Sequence, residues 1–437
     1  MPTKGEVRAY QATTAALADG AGEGFKEIIR AYLRANPDAS VSELRDYAIK
    51  TAESVCAQYS VASAVVAEDM YESEVGSLPP GRYEPNVSHD AIDDAVRYHV
   101  GKAADGDVGG FLRSMGSWVS QATFNTCNQR TLDLASAGKS AAQRKRERRA
   151  AAKAAHEVFF ARVPTGVNTC AWCAMLAGRG YVYWTAETAG AYSKWHAHCR
   201  CTVVASAKKG GIGGYDPTVW EALSREYEKI EASGLPDVQQ KAVKLAYADS
   251  LGAYDGSQAE LADAFQVAAS SAWASFAKEK SLASYESTMS SLVKEMGAAY
   301  GATWSLESTV SSAGARVYAR PNGDELWIAA KIGGSAHNLA FLAQDRDLAP
   351  DALVDGTFAE FKSPGSIRKI TKRLAHAEEQ LNSVGGGVTY LSLLHLDGHE
   401  AEAREISRGF VGAGETRTLA ADGTIETLTR TDAGLGS

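Results

Sequence analysis

PDALVDGTFAEFKSP, residues 350–364, reads as two short strands folded about the pair Asp355-Gly356. Both residues of that pair accept the positive φ that a two-residue hairpin turn requires, so Asp355 is a turn residue. Asp351 opens the first strand and Glu360-Phe361-Lys362 closes the second. Side chains alternate along a strand, which places Glu360 and Lys362 on one face and Phe361 on the other. Upstream, RVYARPNGDELWIAAK reads as two strand-like runs around Asn322-Gly323, a second hairpin signal. Downstream, SIRKITKRLAHAEEQLNS is a helix, VTYLSLLHL a buried strand and AEAREISRGF a short helix. TRTLAADGTIETLTR closes the chain as a hairpin around Asp422-Gly423. The sequence therefore predicts a mixed α/β domain over 305–437.

Chemistry follows from the same stretch. Asp351 and Glu360 offer hard oxygen ligands to Mg²⁺ or Mn²⁺, with water and substrate phosphate completing the shell. Lys362, on their face, suits charge stabilisation on phosphoryl oxygens or orientation of the attacking water. Arg368, Lys369, Lys372 and Arg373 form a phosphate-positioning face on the next helix, and Gln380 is a further candidate for orienting water. The bland alternative is a set of surface carboxylates and a lysine on an exposed hairpin. No histidine is required where a metal lowers the pKa of its water. His395, inside an apolar run, reads as a core residue, and His376 lies where it could meet phosphate.

The order of these features (PD, E-x-K, Ser-Pro, a basic helix, a Gln, a buried strand) is similar to the PD-(D/E)XK nuclease superfamily. In detail it resembles the C-terminal tRNase domains of contact-dependent growth-inhibition toxins, over about residues 285–410. The resemblance implies cleavage of nucleic acid, tRNA or DNA, and makes an immunity protein a candidate partner. It also implies an acidic residue from an upstream helix, for which Glu295 in SLVKEMGAAYG is the candidate.

The first half has a different texture. Residues 1–160 are Ala-rich with apolar residues at helical spacing, as in FKEIIRAYLRA, and SVSELRDYA carries a helix-start signal. This predicts a helical bundle interrupted by the loop SLPPGRYEPNVSHD. Lys139, Arg144, Lys145, Arg146, Arg148, Arg149 and Lys153 lie in a basic, helix-prone run that is either a solvated face or a partner surface. Residues 236–304 read as a helical linker region. At 437 residues the chain exceeds one ordinary core, so several domains are expected. A net charge of −8 excludes a protein basic throughout, so nucleic-acid contact has to be local. Neither a signal peptide nor about 18 uninterrupted apolar residues is present, and no membrane partner is expected.

Four of the six cysteines cluster in TCAWCAMLAGRGYVYWTAETAGAYSKWHAHCRC, whereas Cys56 and Cys127 stand alone, Cys56 reading as a small core residue. Cys170-x-x-Cys173 and His196-x-x-Cys199 each give a bite suited to tetrahedral zinc, and Cys201 could replace His196. The alternative is two disulfides or buried thiols. Either way the module, taken as 161–235, is a staple and not a catalytic centre, since a closed four-ligand site leaves no open position.

RVPTG, CAWCAMLAGRG, VYW and WHAHCRCTVV resemble the MuF-like minor head (head-morphogenesis) proteins of tailed phages, over roughly residues 1–235. This implies a virion protein made in the host cytoplasm, associated with phage portal and capsid proteins. Relatives often carry a proline after the CRCTVV stretch, which is missing here. Three readings follow: a head protein with a nuclease domain, a purely structural head protein with an inactive passenger domain, and a free bacterial toxin. The knuckle spacing predicts about one zinc per chain. Elemental analysis of reduced protein should find it; absence of metal with two mapped disulfides among the four cysteines would refute the zinc assignment.

Overall fold

The structure is a computed structural model that describes residues 2–79, 83, 88–137, 158–164, 169–184, 186–189, 201–279, 281–311, 314–334, 336–344, 349–410 and 415–428. His196, Cys199 and the basic run from Lys139 to Lys153 lie outside the described residues. The chain divides into two compact units, Met1–Ser224 and Arg225–Ser437.

The first unit is built on helices α1 (Lys4–Ala35), α2 (Val41–Val75), α3 (His89–Ala104) and α4 (Val108–Ser136). Thr3 with Glu6 and Ser40 with Glu43 form capping boxes, each satisfying backbone donors that a helix start leaves orphaned. Phe25, Ile29, Leu44, Val55, Cys56, Ile92, Phe111 and Met115 fill the core between them. A Cβ on Gly22 would meet the Gly116 carbonyl at 2.6 Å, so α1 and α4 approach almost backbone to backbone there. Cys127 is buried beside the Tyr10 hydroxyl at 3.1 Å.

Beyond the bundle, β1 (Phe159–Val163) pairs antiparallel with β2 (Thr202–Ser206), and α5 (Ala171–Arg179) lies between them in sequence. Cys170 is the N-cap of α5, its sulfur accepting the Cys173 N–H at 3.4 Å. Cys170, Cys173 and Cys201 form one small cluster. Buried Asn128 of α4 donates to the Cys201 carbonyl at 3.0 Å and accepts the Val203 N–H at 2.8 Å, fastening β2 to the bundle. Gln11 of α1 donates to the carbonyls of Val163 and Pro164 at 3.2 and 3.3 Å, doing the same for β1.

Helix α6 (Pro217–Ala232) contains the boundary between units, and α7 (Asp237–Ser250), α8 (Gln258–Glu279) and α9 (Ser291–Ala299) follow. A polar network ties α7, α8 and the end of α9 to the α/β part of the second unit. The Asp249 carboxylate accepts from Tyr300 Oη at 2.8 Å and Lys331 Nζ at 2.6 Å, while Gln258 joins Asp249 to Trp327 Nε1. Residues read from sequence as a linker therefore belong to the second unit.

Its sheet has seven strands in the order β11-β10-β9-β8-β7-β6-β3. These are β3 (Thr303–Leu306), β6 (Asn338–Phe341), β7 (Ala352–Val354), β8 (Thr357–Lys362), β9 (Val388–Ser392), β10 (Glu415–Leu419) and β11 (Ile425–Leu428). A separate hairpin pairs β4 (Ser308–Val310) with β5 (Arg316–Tyr318). Helices α10 (Gly323–Ile332), α11 (Ile370–Asn382) and α12 (Glu400–Gly409) connect the parallel pairs β3/β6, β8/β9 and β9/β10.

The β7–β8 and β10–β11 hairpins stand where the sequence puts them. Asp355 at φ +48° and Gly356 at φ +82° make the first turn, and the Asp355 carboxylate also accepts the Asn338 N–H at 2.8 Å. The hairpin expected at Asn322-Gly323 does not form. Asn322 is instead the N-cap of α10: its side chain accepts the Glu325 N–H at 3.0 Å and Glu325 accepts the Asn322 N–H at 3.0 Å. Reciprocal capping and the burial of Leu326, Trp327 and Ile328 outweigh the local turn preference.

Candidate functional site

The site stands on β7, β8 and two helices. Asp351, at the entrance to β7, accepts the Phe361 N–H of β8 at 2.8 Å, and Gln344 donates to its other oxygen. Lys362 reaches between two carboxylates, pairing with Glu360 and lying 3.4 Å from Asp351 Oδ2. Glu360 is fully buried and Asp351 and Lys362 nearly so, so the bland reading of an exposed hairpin fails. Phe361 points the other way, between Phe341 and Tyr390.

A cleft of about 740 Å³ opens over this cluster, with Asp351, Lys362, Asp324, Glu325, Arg373, His376 and Gln380 among its walls. Arg373, His376 and Gln380 lie three and four residues apart on α11 and so share one face. Gln380 donates to the Ala349 carbonyl at 3.0 Å, and its buried Oε1 has no partner among the described residues. Arg368, Lys369 and Lys372 are exposed and do not line the cleft. Glu295 sits on α9 and does not line it either. The acidic side chains that do come from a helix are Asp324 and Glu325, at the start of α10, and it is Glu325 that lies half-buried near Asp351. Its signal was legible in Asn322-x-x-Glu325, the capping-box spacing hidden behind Asn322-Gly323. His395 is also placed differently: it lies past the end of β9, exposed, and pairs with Asp324 at 3.1 Å on the cleft wall. The strand ends at Ser392, so the His395 side chain never enters the core.

Three carboxylates now face one ammonium, and the electrostatics are strained accordingly. Burial pushes the Glu360 carboxyl up to about 9, helped by the charge of Asp351. Burial and then Asp351 also raise Glu325 well above the usual carboxylate range. Among the described residues no three His, Cys, Asp or Glu side chains are close enough to cage a metal as they stand. Lys362 occupies the gap between Asp351 and Glu360. The donor set nonetheless suits a hard divalent cation. Glu360 Oε1 is buried without a hydrogen-bond partner among the described residues, and excess negative charge in a polar cleft is what such an ion neutralises.

A profile of the family described as VG15 protein matches residues 1–230, more than half of the chain. The chain belongs to the VG15 protein family. This is a family of phage-type viral proteins, and the match spans the whole first unit of this VG15 chain. No curated protein and no solved structure matches the chain significantly. Among the described residues no helix is long and apolar enough to cross a membrane.

Glu360 gives a pH dependence with a defined sign. Its carboxyl is raised from the usual 4.5 to about 9, so between those values the folded state holds a proton that the unfolded chain has lost. Its contribution is complete below the lower value and is lost as pH climbs through the upper one. Metal-free protein should therefore lose stability with rising pH, and Glu360→Gln should flatten that slope. Urea unfolding with chelator at about pH 5, 7 and 9 measures both; a slope unchanged by the substitution would contradict the assignment.

Proposed function

We propose that this VG15 chain is a minor head protein of a tailed phage whose second unit is a metal-dependent nuclease, with RNA favoured over DNA by resemblance. The observation that carries the nuclease reading is the convergence of Asp351, Glu360 and Lys362, buried together beside a cleft that Asp351 and Lys362 line. A Mg²⁺ or Mn²⁺ bound to Asp351 and Glu360 would supply an activated water and neutralise charge on the phosphate. Displaced toward the cleft, the Lys362 ammonium would stabilise the negative charge developing on the phosphoryl oxygens. Gln380 Oε1 would accept a hydrogen bond from the attacking water and so orient it. Arg373 and His376 on the same helix face would position the backbone of the bound strand.

For the first unit, the family match supports a phage protein, and the proposed zinc set stays Cys170, Cys173, His196 and Cys199, with Cys201 able to replace His196. Portal and capsid proteins are its proposed partners there.

Two outcomes are expected. Full-length protein with Mg²⁺ or Mn²⁺ should cut tRNA or DNA, and Glu360→Ala, Lys362→Ala or chelator should reduce the rate by at least about a hundredfold. If wild type leaves both substrates intact across a range of divalent metals, the second unit is a passenger domain. Mass spectrometry of purified virions should find the chain at low copy number; its presence in infected-cell lysate alone would remove the head-protein reading.

A further inference from the structure

Beside the cleft lies a second hollow of about 270 Å³ that shares Glu325, Gln344 and Asp351 with it as a common wall. Its other walls include Val317, Tyr318, Arg320 and Pro321. The volume falls below the roughly 300–1,000 Å³ of a pocket for a whole small molecule, so it fits one part of a larger ligand.

Two of these side chains are braced from behind. The half-buried Tyr318 ring has Tyr285 at 4.1 Å and Phe276 edge-on at 4.9 Å. Arg320 is exposed, and its guanidinium lies over the Trp273 ring at 4.8 Å. No carboxylate pairs with Arg320 among the described residues. A fixed aromatic ring with apolar neighbours offers stacking to any base, and an unpaired, pre-oriented guanidinium offers a fork to phosphate. Asp351 on the common wall disfavours an anion there, whereas the Arg320 guanidinium attracts one. Tyr318 and Arg320 line the same hollow and together suit one nucleotide, its base on the ring and its phosphate on the guanidinium.

Resting on the nuclease reading above, we propose that this hollow receives the base flanking the scissile phosphate, so that the substrate is an unpaired strand or loop. A base inside a duplex is paired and stacked and would have to be extruded before it could enter.

The test is binding, which needs no turnover. Full-length Lys362→Ala protein, which keeps both Asp351 and Glu360, is titrated in Mg²⁺ against a short fluorescent single-stranded oligonucleotide and against the same sequence in a duplex, by anisotropy. The single strand should bind roughly tenfold more tightly, and Tyr318→Leu and Arg320→Ala in that background should each weaken it about tenfold with little change for the duplex. Arg320→Ala, at an exposed position, decides the matter if Tyr318→Leu disturbs folding. Equal affinity for both forms, or single-strand binding unaffected by Arg320→Ala, overturns the subsite. Cleavage of single strand and duplex alike with no strand preference would overturn it and leave the nuclease standing. Single-strand preference without cleavage by wild type would keep the subsite and remove the nuclease.

Discussion

The hydrogen bond from the Phe361 N–H to the Asp351 carboxylate, 2.8 Å long and buried, is the constraint on which the second unit's chemistry rests. It joins the start of β7 to the end of β8, the two points of the hairpin farthest from its turn. With the Asp355-Gly356 turn at the opposite end, the register has no freedom to slip, and a slip of one residue would exchange Glu360 and Lys362 for Phe361. Removing one member of such a buried charge cluster leaves the others uncompensated, which costs about 3–5 kcal/mol in comparable cases. The arrangement is therefore expensive to hold and is held by geometry on every side.

What offsets that cost lies on the other face of the same sheet. Tyr300, Trp304, Phe341, Phe361 and Tyr390 form a row of rings with successive centroids 5.8–6.4 Å apart. Each ring buries a large apolar area and meets its neighbour edge-on or offset, the favourable aromatic geometries. Strand β8 thus has two characters at alternate residues: Phe361 contributes to packing while Glu360 and Lys362 work against it. The Asp249 network, which binds α7 and α8 to α10, secures the helix that brings Glu325 to the cleft.

Local signals carried much of this. Alternation alone placed Glu360 and Lys362 together, the Asp-Gly pairs marked the β7–β8 and β10–β11 hairpins, and Gln380 entered through its position on the basic helix. Two kinds of information were not local. Asn322-Gly323 satisfies a turn template and a capping template at once, and only the burial of the following helix decides between them. Likewise nothing in the chain near Glu295 or Glu325 says which helix ends at the cleft; that depends on how α10 crosses the sheet. The basic helix shows the same limit, since only Arg373 of its four predicted phosphate contacts lies on the cleft-facing side. Of the cysteine module expected from sequence, Cys170, Cys173 and Cys201 pack together, while His196 and Cys199 lie outside the described residues.

Asn128 has a consequence for how the first unit is inherited as a piece. One amide, wholly buried in α4, replaces two rungs that a neighbouring strand would otherwise provide to Cys201 and Val203. The module therefore borrows a backbone partner from the bundle, and neither part can be swapped for a homologous copy unless that copy presents an amide at the same height. Recombination between relatives, a common route by which viral genes acquire new segments, would be expected to join sequences outside this pair and to carry α4 and β2 across together.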